Sequence, residues 1–419
     1  MTCNQLSHPL AATRGEHAAI HASLELARHR WVVTVLLPGS EKMSAHGIKG
    51  GDVGALLELL ERLRVRAERS IGKALKIVLI QEAGLDGFWV HRRLEAHGIE
   101  SHVVDPASIP APRRRRRAKS DKIDGQTLLR ALLAWLRGEP RVCSMVRPPS
   151  PQEEDRRRLV RERGVLIKER RSEVGRIDGL LAAQGITGYK PLRRDRRGCL
   201  AQLRTAAGER LPPYLAAELG RILDRLELLL RQIADLEHQR QALLQAVCAA
   251  ESAAMADTPR TTEVRGTPPD GVPDTTGPAG TMGAPQERDP AAMLFRLKGI
   301  GVEGATTLAY ECFFHRFDNR RQVAAFAGLA PTPWRSGQIV YEQGISKAGN
   351  PALRTIMVEL AWCWRRYQPN SALTQWWRKA AATGDRRIAI VALARKLLVA
   401  LWRYVTHGVL PEGAVFKAA

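Results

Sequence analysis

KIVLIQEAGLDGFWVHRRLEAHGIESHVVDP, residues 76–106, decides the fold. Its first part, KIVLIQE, is an unbroken apolar run closed by Gln and Glu, the pattern of a strand buried on both faces. GFWVHRRLEAHG (87–98) then repeats apolar residues at helical spacing and stops at Gly98. SHVVDP (101–106) is a second strand-like run. Strand, helix and strand in succession predict a parallel pair joined by a crossover.

Working outward, AIHASLEL (19–26) and WVVTVLLP (31–38) are short strand-like runs, and GGDVGALLELLERLRVRAER (50–69) has the 3.6 period of a helix. KSDKIDGQTLLRALLAWLRG (119–138) is a further helix. From about 150 to 250 the pattern is helical throughout. LAAELGRILDRLELLLRQIADLEHQRQALLQAV (215–247) spaces Leu and Ile by three and four between charged residues, as a long amphipathic or coiled-coil arm does. Residues 260–286, RTTEVRGTPPDGVPDTTGPAGTMGAPQ, hold no apolar period and read as linker. The last stretch is mostly helical, broken by Gly-rich turns and the polar segment TPWRSGQIVYEQGISKAGNPALR (332–354). The expected organisation is an α/β domain over 1–145, a helical coiled-coil region over 146–251, a disordered linker over 252–290 and a mainly helical domain over 291–419.

With 419 residues the chain has length for about two to four domains. Its 65 Lys and Arg against 43 Asp and Glu leave a net charge of +22, which implies a polyanionic partner. A hydrophobic share of 44% excludes a wholly disordered basic tail. Cys3, Cys143, Cys199, Cys248, Cys312 and Cys363 are too scattered for a zinc site or a secreted disulfide framework. No run reaches the roughly 18 apolar residues of a membrane span, and MTCNQLSHPLAATRGEHAAI (1–20) lacks the form of a secretory leader. A cytoplasmic, nucleoid-associated protein with no membrane partner is expected.

Glu82 ends the run KIVLIQE, and Glu25 lies at the end of the first strand-like run. In open α/β sheets, sites gather at the carboxyl ends of strands. Asp121 and Asp124, at i and i+3, share one face of their helix. If that helix packs over the strand ends, four carboxylates converge, and hard oxygen ligands of this kind suit Mg2+ or Mn2+ and phosphoryl transfer. The plain alternative makes Asp121 a helix cap, Asp124 the partner of a neighbouring Arg or Lys, and both glutamates surface acids. RRRRRAK (113–119) runs directly into the aspartates, so Arg113, Arg114, Arg115, Arg116, Arg117 and Lys119 would deliver a phosphate backbone to them.

IQEAGLDGFWVHRRLEAHGIESHVVDPASI (80–109), RRAKSDKIDGQTLLRALLAW (116–135) and AAFAGLAPTPWRSGQIVYEQGISKAGNPALR (324–354) together resemble the insertion-sequence transposases of the DEDD type, serine-dependent recombinases guided by a bridge RNA. The resemblance spans most of the chain outside the linker. It implies an amino-terminal RNase H-like domain similar to the RuvC junction resolvases, with an acidic quartet on Mg2+: Glu82, Asp121 and Asp124 match three members. Glu25 stands where the family usually has Asp, its carboxylate one methylene further out. The resemblance also implies a serine nucleophile in the carboxy-terminal domain that forms a phosphoserine link to DNA. Ser336 of WRSGQ matches it, with Ser346 of GISKAGN as competitor, and the quartet meets the serine across subunits.

Beside these serines, Arg335, Lys347, Asn350 and Arg354 are candidates for holding phosphates. LKGIGVEGATTLAYE (297–311) reads as half of a helix-hairpin-helix, and Trp362, Trp364, Trp376 and Trp377 as base-stacking or core residues. The implied partners are DNA of the element ends and target, a non-coding bridge RNA, and further copies of the chain as homodimer or homotetramer. Two other functions compete: a metal-dependent junction resolvase or nuclease with no covalent intermediate, and an inactive nucleic-acid-binding derivative.

Overall fold

The computed structural model describes residues 19–84, 88–109, 121–139, 142–256, 288–336 and 339–417. Two compact units divide at Pro149 and Ser150.

The first unit holds β1 (Ala19–Glu25), β2 (Arg30–Leu36), β3 (Ser44–Lys49), α1 (Val53–Ile71), β4 (Lys76–Glu82), α2 (Trp89–Ala96), β5 (Glu100–Val104) and α3 (Asp121–Leu136). These strands form one sheet in the order β3-β2-β1-β4-β5. β1 runs parallel to β4, and β4 parallel to β5, while β2 is antiparallel to both of its neighbours. Period-two alternation sorts each strand between two helical layers. Ile20, Ala22 and Leu24 join Ile77 and Leu79 against Leu56 and Leu60 of α1 and Val90 and Leu94 of α2. On the opposite face, Ala19, Val78 and Ile80 meet Leu128, Leu129 and Leu132 of α3. Each such Leu or Ile contributes about 1.5–3 kcal/mol by leaving water.

One strand of this unit has no counterpart in the sequence reading. β3, SAHGIK, is a mostly exposed edge strand held by backbone pairing to β2, and it has no apolar run to announce it.

The second unit is mainly helical: α4 (Pro151–Ala182), α5 (Arg196–Gln202), α6 (Pro213–Ala256), α7 (Pro290–Phe295), α8 (Val302–Glu311), α9 (Arg320–Phe326), α10 (Pro351–Tyr367), α11 (Ala372–Thr383) and α12 (Arg386–His407). β6 (Pro331–Ser336) and β7 (Ile339–Ile345) form a hairpin inside the segment that reads in sequence as a polar interruption. A capping box between Ser150 and Glu153, with Pro151 in the first turn, starts α4. α4 and α6 pack as an antiparallel arm, cross-linked by Arg163–Glu237, Glu173–Arg225 and Arg176–Glu218. Leu166, Leu229, Ile233 and Leu236 fill one stretch of the seam, and Ile177, Leu181, Leu219, Ile222 and Leu226 fill the next. The expected linker falls mainly on residues 257–287, outside the described residues.

Buried charges tie the arm to the helices after it. Arg240, 2% exposed, donates to the Glu303 carboxylate and the Thr306 hydroxyl of α8. Glu311, at the end of the same helix, accepts from Arg161 at 2.8 Å and Arg157 at 3.4 Å. Both partners of the Arg157–Glu311 pair are buried, so loss of either strands a charge away from water. Burial lowers the Arg157 pKa, and Glu311 opposes that shift. Around α7–α12 the core is dense and includes Trp364, fully buried with its indole N–H on the Ser371 hydroxyl, and Trp377; Trp376 packs at its margin and Trp362 stays exposed.

Glu311→Ala is therefore expected to destabilise the second unit by about 3–5 kcal/mol, read as a fall in its denaturation midpoint. Glu61→Ala, which removes an exposed pair with Arg64, is expected to change stability by under about 0.5 kcal/mol. Equal effects of the two substitutions would contradict a buried lock.

Candidate active site

The parallel register of β1 and β4 pairs Leu24 with Gln81, so the next residues, Glu25 and Glu82, end adjacent strands side by side. Alternation places both on the α3 face: Glu25 follows Ala19 and Ser23 there, and Glu82 follows Val78 and Ile80. Glu82 is exposed and Glu25 half-buried. An apolar strand explains this arrangement, since its carboxyl end is the first place where a charged group reaches water.

The first turn of α3 lies over these strands. The Ser23 hydroxyl donates to the Gly125 carbonyl at 2.7 Å. A Cβ on Gly125 would come within 2.5 Å of the Thr34 hydroxyl, so only glycine lets the helix approach this closely. Asp121 and Asp124 belong to that turn, with Asp124 half-buried. The side chain of Asp121 lies outside the described residues, as do Arg113, Arg114, Arg115, Arg116, Arg117 and Lys119.

The donor chemistry fits a divalent cation: oxygen-only ligands collected at strand ends, open to solvent on one side. Among the described residues, no group of three His, Cys, Asp or Glu stands close enough to hold a metal. Glu25, Glu82 and Asp124 therefore do not close a ligand set among themselves.

In the second unit the two candidate serines occupy opposite ends of the β6–β7 hairpin. Ser336 pairs with Ile339 at one end, and Pro331 pairs with Ile345 at the other, the base. Five residues of strand separate the two levels, about 17 Å. Ser346 follows the base, its N–H on the Ala330 carbonyl. The side chains of residues 333–343, including Arg335 and Ser336, lie outside the described residues.

The segment after Ser346 is tightly built. Lys347 has a left-handed backbone with φ 55°. Its carbonyl accepts from Arg354 at 3.0 Å. A Cβ on Gly349 would sit 2.6 Å from the Gly328 nitrogen and the Phe326 carbonyl. The Asn350 side chain caps α10, accepting from the N–H groups of Ala352 and Leu353. Asn350 and Arg354 thus shape the loop, and Lys347 is its exposed cation. The Gly-Ile-Gly turn does precede α8, with Gly299 at φ 89° against Tyr367, but Glu303 already places an acid in the first turn.

Sequence reasoning missed Ser23, Thr34 and Gly125. Their signal was present: two small hydroxyl residues interrupt apolar strands, and a glycine interrupts a helix that packs on them.

Residues 291–375 match the family described as "Transposase IS116/IS110/IS902 family". Over its full length the chain is 51% identical to the putative transposase y4rJ of Sinorhizobium fredii across 422 residues, covering 100% of this chain and 99% of the relative. It is 23% identical over 348 residues to the transposase for insertion sequence element IS1111A of Coxiella burnetii, covering 79% and 78% of the two chains. A 101-residue stretch is 35% identical to the putative transposase y4qE of Sinorhizobium fredii, 24% of this chain and 26% of that one.

Gly125→Ala is expected to lift the start of α3 and cost about 1–3 kcal/mol. Thr34→Ala in the same chain leaves ordinary contacts, 3.4 Å to the Cβ of residue 34 and 3.7 Å to the Ser23 hydroxyl, and is expected to restore most of the loss. A double-mutant cycle on hydrogen-exchange protection of α3 measures this; additive losses would mean the contact does not set the approach.

Proposed function

Because the chain belongs to the IS116/IS110/IS902 family of transposases, we propose that it cuts and rejoins the DNA of its own insertion sequence, with carboxylates on Mg2+ or Mn2+ and Ser336 as nucleophile, guided by a bridge RNA from the element. The observation that carries this reading is the adjacency of Glu25 and Glu82 at the ends of parallel strands, beneath the helix turn that bears Asp121 and Asp124. The mixed five-stranded sheet with α3 on that face supports the RNase H-like reading of the first unit.

Glu25, Glu82, Asp121 and Asp124 would hold the metal, which when bound supplies Lewis-acid stabilisation of charge on the phosphoryl oxygens. The Ser23–Gly125 contact keeps the aspartate turn against the strands. Arg113–Arg117 and Lys119, directly upstream, attract the DNA backbone. The Ser336 hydroxyl attacks phosphorus; an oxygen–phosphorus bond forms, the bond to one sugar oxygen breaks, and the proton lost by serine is matched by one gained at that oxygen. The DNA phosphate then stays on serine until a hydroxyl of the new strand end displaces it. Ser336, at the end of the strand pair away from the base, suits this role better than Ser346, whose backbone is tied to Ala330 at the base. Lys347 would hold a phosphate at that base.

Strand exchange needs at least two such centres, so the working form is a homodimer that pairs into a homotetramer. Base pairing with the bridge RNA would choose the sequences, leaving the basic surface free of a base-reading code. The protein would act in the bacterial cytoplasm, at the nucleoid; among the described residues no helix is long and apolar enough to cross a membrane.

The test is to sequence RNA that co-purifies with the full chain, then incubate the complex with joined element ends, target DNA and Mg2+. Ser336→Ala is expected to remove the covalent protein–DNA adduct and lower recombinant joints by about 10³-fold or more. Asp121→Asn and Asp124→Asn are expected to do the same. Continued cleavage by Ser336→Ala would establish a nuclease without covalent intermediate, and full activity of RNA-free protein would remove the guide.

A further inference from the structure

The far end of the α4–α6 arm is a folded platform. Tyr189, Leu200, Leu203 and Leu211 extend the seam of the arm into the segment between the two helices. There Arg204 and Arg210 face each other in an isolated antiparallel bridge. The Ala206 N–H bonds to the Gln184 carbonyl at 2.9 Å. Gly185, at φ 72°, has room for no Cβ, which would fall 2.6 Å from that of Ala206. The bridge is therefore clamped to the end of α4.

Residues directly opposed in an antiparallel pair leave the same face with Cβ atoms about 4.5–5.5 Å apart, and like charges so placed repel. Neighbouring cations are neutralised: Arg193 pairs with Asp195, Arg196 with Glu227, and Arg197 with Asp224 and Glu227. Among the described residues no carboxylate pairs with Lys190, Arg194, Arg204 or Arg210, all of them exposed. Glu209, exposed in the loop before Arg210, forms no ion pair with Arg204 or Arg210 among the described residues. Four residues beyond Arg210, in the first turn of α6, Tyr214 is 89% exposed.

Two opposed arginines that no carboxylate neutralises can share a phosphate, with one Arg204 nitrogen on the Leu203 carbonyl at 3.1 Å and its other donors left for the ligand; the exposed ring of Tyr214, four residues along the chain from Arg210, is a stacking surface for a base. We propose that the arm tip binds unpaired nucleic acid, with a phosphate between Arg204 and Arg210 and a base on Tyr214. A single strand fits because a lone ring needs the free face of a base, which a duplex hides. The site shares no residue with the carboxylates or Ser336 and goes beyond the chemistry proposed for them.

The experiment measures binding of the full chain to 20-nucleotide oligo(U), oligo(dT) and a 20-base-pair duplex as salt is raised. Arg204→Ala with Arg210→Ala is expected to make the slope of log affinity against log salt shallower by about 1.4 for single strands. Tyr214→Ala is expected to weaken single-strand binding about tenfold and leave the duplex unchanged, with Tyr214→Trp restoring it. Arg225→Ala, on the shaft, serves as control for general charge loss. A larger loss for oligo(U) assigns the site to RNA, and a larger loss for oligo(dT) to DNA. Unchanged slope and affinity in folded variants would overturn the proposal, as would a Tyr214→Ala loss that is equal for single strands and duplex. Asp124→Asn is expected to lose recombination while keeping tip binding, so this proposal and the catalytic one fail separately.

Discussion

The approach of α3 to the sheet at Gly125 is the constraint from which the arrangement of the first unit follows. The helix can lie against β1 and β2 at that level only because no Cβ intervenes, and the Ser23 hydroxyl fixes the distance. That contact sets how far the Asp121–Asp124 turn stands from the ends of β1 and β4. Backbone pairing sets the other half of the arrangement: a parallel register puts Glu25 beside Glu82, and a slip of one residue would send one of them to the α1 layer. Acidic groups brought together in this way repel, so the sheet and helix must hold them against their own charge.

The second unit solves a different problem. A two-helix arm has a narrow seam, and leucines alone would let it pivot where it meets the helices that follow. Arg240 on Glu303 and Thr306, and Arg157 and Arg161 on Glu311, replace that freedom with directed contacts at both ends of α8. Such pairs add little net stability over apolar packing, because each charge is desolvated, but they fix geometry.

Much of this was legible in the sequence. β4, α2 and β5 stood out because a buried strand is continuously apolar and a helix repeats at 3.6; Glu25 and Glu82 were found because they terminate strand-like runs, and Asp121 and Asp124 because their spacing shares a helix face. β3 and the β6–β7 hairpin were not legible, since each depends on backbone pairing between segments whose side chains carry no period. The four tryptophans could not be separated by spacing alone; packing put Trp364 and Trp377 inside and left Trp362 out. Asn350 and Arg354 look like phosphate ligands in sequence because the same groups that bind anions also cap helices and hold carbonyls. The fold adds a local role for each: the Asn350 side-chain oxygen accepts from the Leu353 N–H, and one Arg354 nitrogen donates to the Lys347 carbonyl. The buried arginines of the arm were invisible for the related reason that an Arg in an amphipathic helix reads as surface.

The length of α6 has its own consequence. From Tyr214 to Arg240 the helix rises about 39 Å at 1.5 Å per residue, close to the span of a dozen stacked base pairs at 3.4 Å. A rod clamped at one end is a caliper: whatever its tip touches is held at a set interval from the body of the unit. Removing two turns from each limb would shorten that interval by about 11 Å without disturbing either end, so the gauge of the instrument is written in helix length and can drift by whole turns.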